Sequence, residues 1–196
     1  MKKYILALST LVVFSIFANA ADITSTYTKI DLHKTCTVLK EIEEGGSITM
    51  LCAGLDEYDV HFAEGDLRHS VQFGHIDKNT RTIWQSFGQW NRIGDTVEWR
   101  IKQGKPIATV LRWFIENTDD QGSADPARVG QVLVISRVGQ ANDRQACVAG
   151  YVDALANSGA NELARHVADT IAPNFTCGTD KPEYHGKRGA LSGNPS

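Results

Sequence analysis

The sequence predicts an α+β domain, mainly antiparallel β, in which a meandering sheet forms a sandwich or a partial barrel and one C-terminal helix packs on it. Two observations predict this fold. Short runs rich in β-branched residues, many of them alternating between apolar and polar, recur through most of the chain. The apolar period changes to that of a helix at about residues 160–172. Because no repeat or long linker divides residues 21–178, we expect them to form one domain.

The chain begins with a pattern typical of an export signal. Lys2 and Lys3 precede an apolar run over residues 4–17, and Ala-Asn-Ala at 18–20 matches a cleavage site. The run is shorter than the roughly 20 apolar residues that a spanning helix needs. Residues 1–20 are therefore predicted to be a signal peptide, and the mature protein to be periplasmic or secreted without membrane insertion.

Residues 35–42 and 47–53 predict the first hairpin. They flank a three-residue loop that offers Gly45 for the left-handed position. This register places Cys36 directly opposite Cys52. It also predicts one core face, which is made up of Cys36, Val38, Ile42, Ile48, Met50 and Cys52.

The four cysteines all follow the leader, which suits an oxidising compartment. Three pairings are possible in principle. The hairpin register favours Cys36 with Cys52, which leaves Cys147 with Cys177 to pin the C-terminal helix onto the sheet. A metal site is the alternative, but the sequence lacks a Cys-x-x-Cys pair. We therefore expect two structural disulfides and no metal.

An acidic stretch offers the best case for catalysis. His61 is surrounded by Asp56, Glu57, Asp59, Glu64 and Asp66. Carboxylates and imidazoles bind cations and transfer protons, so a cell-envelope hydrolase using carboxylates near residues 56–66 is the alternative function. The spacing matches neither H-E-x-x-H nor a calcium loop, and a solvated acidic loop is the simpler interpretation. No P-loop, dinucleotide fingerprint or G-x-S-x-G elbow is present, so no catalytic residue and no cofactor is predicted.

Residues 96–101 and 107–116 predict a second hairpin. Its core face carries Trp99 and Trp113 among alternating apolar residues. The opposite face carries Glu98, Arg100, Arg112, Phe114 and Glu116. These side chains suit a charged cross-strand ladder or, if Phe114 is exposed, a recognition surface.

Trp90 is the third candidate for recognition. Its polar neighbours, Gln89, Asn91 and Arg92, are of the kind that a glycan or peptide site uses, although packing at a sheet edge would also explain the residue. The polar loop at 117–130 suits either a binding edge or a plain connector. Together, the candidate ligand- or partner-binding residues are Trp90, Arg112 and Phe114.

Residues 131–138 and 146–152 predict a third hairpin, followed by the amphipathic helix. The run CVAGYVDALANSGANELARHVAD with a later Phe-x-Cys resembles the C-terminal part of an uncharacterised group of small exported proteins of Gram-negative bacteria. The resemblance covers about a quarter of the chain and implies export alone. It assigns no activity and no functional residue. The polar, Gly- and Pro-rich residues 179–196 are predicted to be a disordered tail.

The charge of the chain narrows its range of partners. The formal net charge is −3, and loss of a leader that contains Lys2, Lys3 and no acid would make it −5. A mildly acidic chain without a basic stripe argues against nucleic acid and anionic membrane surfaces. We therefore expect a non-enzymatic binding or interaction protein of the cell envelope. Its partner would be another envelope protein or a cell-wall polysaccharide.

Overall fold

The computed structural model describes residues 22–42, 44–76 and 84–196, and the leader predicted at 1–20 lies outside them. In chain order the described strands are β1 (Ile23–Lys29), β2 (Cys36–Ile42), β3 (Ser47–Leu55), β4 (Tyr58–Gly65), β5 (Arg68–Phe73), β6 (Asn91–Lys102), β7 (Lys105–Ile115), β8 (Gly130–Arg137), β9 (Cys147–Asp153) and β10 (Glu183–Tyr184). Helix α1 covers Ala160–Thr170, and short 3-10 turns cover Pro126–Arg128 and Ala172–Asn174.

The strands form two open sheets. The large sheet has the order β1-β6-β7-β8-β9-β10, and the small sheet has the order β2-β3-β4-β5. All pairs are antiparallel except that of β9 with β10. The predicted α+β fold with a single C-terminal helix is confirmed, and neither sheet closes into a barrel.

One face of the large sheet, the inner face, shares an apolar core with the small sheet. Trp99 and Trp113 are fully buried there, as their alternation predicts, and Phe73 of the small sheet meets Trp99 edge to face at 5.6 Å. Side chains that alternate along a strand point to opposite faces, so the same strands leave a second face available.

That second, outer face is partly covered by α1. The helix buries a row of small residues, Ala160, Ala164 and Ala168, together with Val167 against β7, β8 and β9. Short side chains allow the helix axis to approach the sheet closely. A disulfide between Cys147 on β9 and Cys177 beyond the helix fixes this arrangement, as predicted.

The first hairpin confirms one prediction and corrects another. Cys36 lies opposite Cys52 in the register, and the two form a disulfide. A register shift between Val38 and Lys40 interrupts the alternation of β2. Beyond this shift Ile42 is 42% exposed, and Val38, which lies before the shift and opposite Met50, is 46% exposed, so neither belongs to the core face.

The prediction of a disordered tail at 179–196 was wrong. Residues 183–184 pair with β9, and Tyr184 stacks on Tyr151 with 5.2 Å between ring centroids. Further on, Ser196 and Ser86 exchange two backbone hydrogen bonds of 3.0 and 3.1 Å. The tail lacks an apolar period of its own, and tertiary contacts order it instead.

Candidate functional site

A cleft of about 630 Å³ opens where α1 leaves the outer face uncovered. Its floor contains Val110, Leu133 and Phe114 from β7 and β8, and α1 contributes Asn161 and Arg165 to its wall. We call it the arginine cleft, because Arg92 and Arg112 also line it. An apolar floor with a few convergent polar groups is the usual composition of a ligand site.

Strand register explains why the two arginines meet Phe114. Arg92 on β6 lies opposite Phe114 on β7, and Arg112 precedes Phe114 by two positions, so all three share the outer face. The guanidinium carbon of Arg92 lies 4.2 Å from the centroid of the Phe114 ring. Arg112 Nη1 donates a hydrogen bond of 3.0 Å to Gln131 Oε1. The ring covers one face of the Arg92 guanidinium and leaves the N–H groups at its edge available.

Neither of these arginines forms a salt bridge within the described residues. A guanidinium presents five N–H donors in a planar fork that matches carboxylate and phosphate oxygens. Asp95 and Glu98 also line the cleft, but Asp95 is paired with Lys29 and Glu98 with Arg165, so the two arginines beside the apolar floor remain suited to an anion.

A second set of charges on the same face is fully paired. Arg100 donates two hydrogen bonds of 2.7 Å to the carboxylate of Asp169 on α1, and Arg165 Nε donates one of 2.7 Å to Glu98 Oε1. Ser25 on β1 also donates to Glu98. Burial acts to raise the pKa of Glu98, but these hydrogen bonds and the two guanidinium charges outweigh it, and the pKa lies below its usual value.

This network replaces the cross-strand ladder that the sequence suggested. Glu98 lies opposite Val110, and Arg100 lies opposite Ala108, because the β6–β7 register shifts between Ile93 and Val97 and again between Arg100 and Ile101. Glu98 and Arg100 therefore take helix residues as partners, and Arg112 and Phe114 are left for the cleft.

His69 holds β6 in place behind Arg92. Its Nδ1 accepts a hydrogen bond of 3.2 Å from the Ile93 N–H, and its ring meets Phe62 edge to face at 4.8 Å. Burial, helped by the positive charge of Arg92, lowers the pKa of His69 to about 4. The imidazole is therefore neutral at neutral pH and serves as an acceptor that positions the strand.

Trp90 lies in a second, smaller cleft of about 460 Å³, which we call the tryptophan cleft. It is 41% exposed, and Glu116, Asn117 and Arg128 line the cleft with it. The loop at 117–130 thus borders a cleft. Of the three predicted recognition residues, Arg112 and Phe114 share one cleft and Trp90 occupies the other.

The acidic residues near His61 do not converge. Asp56 and Glu57 lie in the β3–β4 turn, whereas Glu64 and Asp66 lie at the far end of β4. A strand of this length separates the two groups by about 20 Å. Within the described ranges no group of three or more potential metal ligands is found.

Sequence reasoning named Arg92 only as a neighbour of Trp90, and it placed Asn161 and Arg165 only on the polar face of the helix. Arg92 could have been found from strand parity, since it shares a face with Trp90 and pairs with Phe114 once the register is known. The contribution of α1 depends on how the helix lies across the sheet, for which the sequence carries no local signal.

Comparison with known proteins adds no relatives: no family model matches the chain, and no curated protein or solved structure resembles it significantly. The two disulfides indicate a protein that works outside the reducing cytoplasm. Among the helices of the described ranges, none has the length and apolar character to cross a membrane.

Proposed function

We propose that this protein is a non-enzymatic binding module of the bacterial cell envelope, periplasmic or secreted, that holds an anionic group of an envelope component in the arginine cleft. The observation that carries the proposal is the pair Arg92 and Arg112, two guanidinium groups that line one cleft without a carboxylate partner among the described residues. Charged side chains gain most from a ligand where no internal partner already satisfies them.

Export is supported by three observations. The leader pattern at residues 1–20 has the three regions of a secretory signal. The two disulfides suit an oxidising compartment. The resemblance of the stretch from residue 147 to exported proteins of Gram-negative bacteria stays a prediction from the sequence, and it points the same way.

The alternative, a hydrolase that uses carboxylates near residues 56–66, receives less support from the geometry. Acid/base pairs of glycoside hydrolases hold their carboxyl groups within about 10 Å of each other. Carboxyl groups from opposite ends of β4 lie about twice as far apart, so a pair could form only within one end, and neither end lines the arginine cleft or the tryptophan cleft.

Site-specific photocrosslinking in the living envelope tests the proposal. A photoreactive residue replaces Asn161, which is exposed at the wall of the arginine cleft, and a second version carries it at Arg144, which is exposed in the β8–β9 connection. We expect position 161, but not position 144, to capture a component that carries carboxylate or phosphate groups, as identified by mass spectrometry.

Two double variants make this test specific for the arginines. Arg92→Gln/Arg112→Gln removes two positive charges from the cleft, and Lys102→Gln/Arg144→Gln removes two exposed charges elsewhere. Capture should disappear in the first variant and persist in the second. Equal capture from positions 161 and 144, or undiminished capture in the first variant, would contradict the proposal.

A further inference from the structure

The tryptophan cleft lies where β6 begins and β7 ends, next to the arginine cleft on the same two strands. Beyond the pair Arg92 and Phe114, the Glu116 N–H donates a hydrogen bond of 2.9 Å to the Trp90 carbonyl, so the ladder continues by one more pair. Trp90 precedes Arg92 by two positions, and Arg112, Phe114 and Glu116 are also spaced by two. Trp90 and Glu116 lie one residue beyond the ends of β6 and β7, and the alternation continued by that residue puts them on the side that carries Arg92, Arg112 and Phe114. We call this row the strip.

The strip is long enough for a chain-like ligand. The arginine cleft reaches Val110, and the tryptophan cleft reaches Glu116. Six residues of extended strand span about 20 Å. A ligand that fills both clefts is therefore an elongated molecule with several units, and a single small anion would occupy only one end.

The side chains along the strip differ in a way that suits a sugar polymer. Trp90 offers an exposed ring, which can stack on the apolar face of a sugar. Arg92 and Arg112 offer cationic donors, and the Asn161 amide can donate to or accept from hydroxyl groups. The Asn117 Nδ2 group is bonded to backbone carbonyls, which leaves its Oδ1 as an acceptor. We propose that the strip is one continuous site for a linear acidic polysaccharide, with Trp90 stacked on a sugar ring and both arginines bound to acidic substituents. This inference rests on the proposed function, because it uses the same arginine cleft.

An extended peptide fits the strip less well. Peptides that bind sheets commonly add a strand at a free edge, where main-chain groups are unpaired. Here β7 lies between β6 and β8, and β1 covers only Thr96–Lys102 of β6. On the uncovered part of β6, the N–H groups of Asn91 and Ile93 already donate to Leu67 and His69. These main-chain donors beside the strip are therefore taken, and the strip recognises its ligand mainly through side chains, which is how rings and their substituents are bound.

The test uses the full mature protein and defined polymers in calorimetric titration. The probes are polygalacturonate and dextran sulfate as acidic polysaccharides, dextran as a neutral one and polyglutamate as an acidic peptide. We expect both acidic polysaccharides to bind, dextran to show no measurable binding, and polyglutamate to bind at least about tenfold more weakly.

Variants locate the site. Arg92→Gln/Arg112→Gln should weaken polygalacturonate binding by about tenfold or more, because it removes charge-assisted hydrogen bonds. Trp90→Ala should weaken it by about fivefold to tenfold. Trp84→Ala removes an equally exposed tryptophan outside the strip and should leave binding unchanged. Melting temperatures of all variants show whether each one is folded.

Short oligomers separate a continuous strip from two independent clefts. A galacturonate disaccharide should bind in the arginine cleft and be insensitive to Trp90→Ala. Longer oligomers should bind more tightly and become sensitive to that substitution. If affinity does not grow with length, or if the disaccharide is as sensitive to Trp90→Ala as the polymer, the continuous site is wrong.

The remaining outcomes distinguish this inference from the proposed function. Failure of both acidic polysaccharides to bind, or polyglutamate binding that is as tight and is unaffected by Trp90→Ala, overturns the polysaccharide site. The proposed function survives either result as long as capture at position 161 depends on the two arginines. Loss of that dependence overturns both.

Discussion

Two pairs of arginines lie at the outer face of the large sheet, Arg100 on β6 with Arg165 on α1, and Arg92 on β6 with Arg112 on β7, and they differ in whether a carboxylate pairs with them. Arg100 and Arg165 are bonded to Asp169 and Glu98, and the Arg100 side chain is only 9% exposed. Arg92 is exposed and has only a phenylalanine ring beneath it. A charge that is taken out of water needs a partner, whereas a solvated charge does not. Helix α1 thus covers the charges that it neutralises and leaves the others open to a ligand.

The largest loss of stability should follow from replacing an arginine that is paired with a carboxylate. Arg100→Met leaves the Asp169 carboxylate without its partner at a site that is mostly shielded from water, whereas Glu98 keeps Arg165 and Ser25, and we expect a loss of about 3 kcal/mol in the free energy of unfolding. Urea denaturation measures it as a lower midpoint at unchanged slope. The matched variant Arg112→Met should lose less than about 1 kcal/mol. Equal losses in the two variants would show that the pairs do not differ in the way described.

Acidification should lower the stability of the folded protein by an intermediate amount. Because the pKa of folded His69 is about 4 and its usual value is 6.5, the unfolded chain takes up a proton first as the pH falls. Stability contributed by neutral His69 is therefore complete above pH 6.5 and is lost as the pH falls through about 4. Glu98, whose folded pKa also lies below its usual value, adds a further loss below pH 4.5.

Denaturation midpoints measured from pH 7.5 to 4 test this prediction. Replacement of His69 by Gln should flatten the decline between pH 6.5 and 4.5, and the decline that remains below pH 4.5 belongs to Glu98 and other carboxylates. A wild-type midpoint that is constant over this range would contradict the assignment of a neutral, buried imidazole.

The smallest loss of stability should follow from replacing an arginine that has no carboxylate partner. Arg92→Gln removes a surface charge and a contact with Phe114, so the change in unfolding free energy should stay below about 1 kcal/mol. The same substitution removes a positive charge that lowers the pKa of His69, and that pKa should rise. An NMR titration of the imidazole measures the shift, with Lys102→Gln as the control that should leave it unchanged. A loss of several kcal/mol would show that Arg92 stabilises the fold as the paired arginines do.

The sequence predicted the elements whose signal is periodic and missed features that depend on register. Alternation revealed the burial of Trp99 and Trp113, and a spacing of three and four residues revealed α1. The partners of Glu98 and Arg100 could not be predicted, because two shifts in the β6–β7 register move the cross-strand neighbours and the acceptor and donor on α1 lie some 70 residues away.

Only those residues of the candidate site that show a periodic pattern were predicted. Arg112 and Phe114 were identified because they alternate with core residues on one strand. To group them with Arg92, one must know how β6 pairs with β7. To identify the wall of the cleft, one must know where α1 packs on the sheet. The tail at 179–196 was missed because composition cannot indicate that Tyr184 will find Tyr151.

The ordered tail also sets the sequence of events in folding. Ser86 and Ser196 are joined by backbone hydrogen bonds although 110 positions separate them, and the carbonyl oxygen of Leu191 lies so close to Gly130 that a Cβ there would be 1.9 Å away. Contacts of such long range form slowly, because a large loop must close before they are gained. The contacts that join the tail to Ser86 and Gly130 can therefore form only after these last residues have been synthesised.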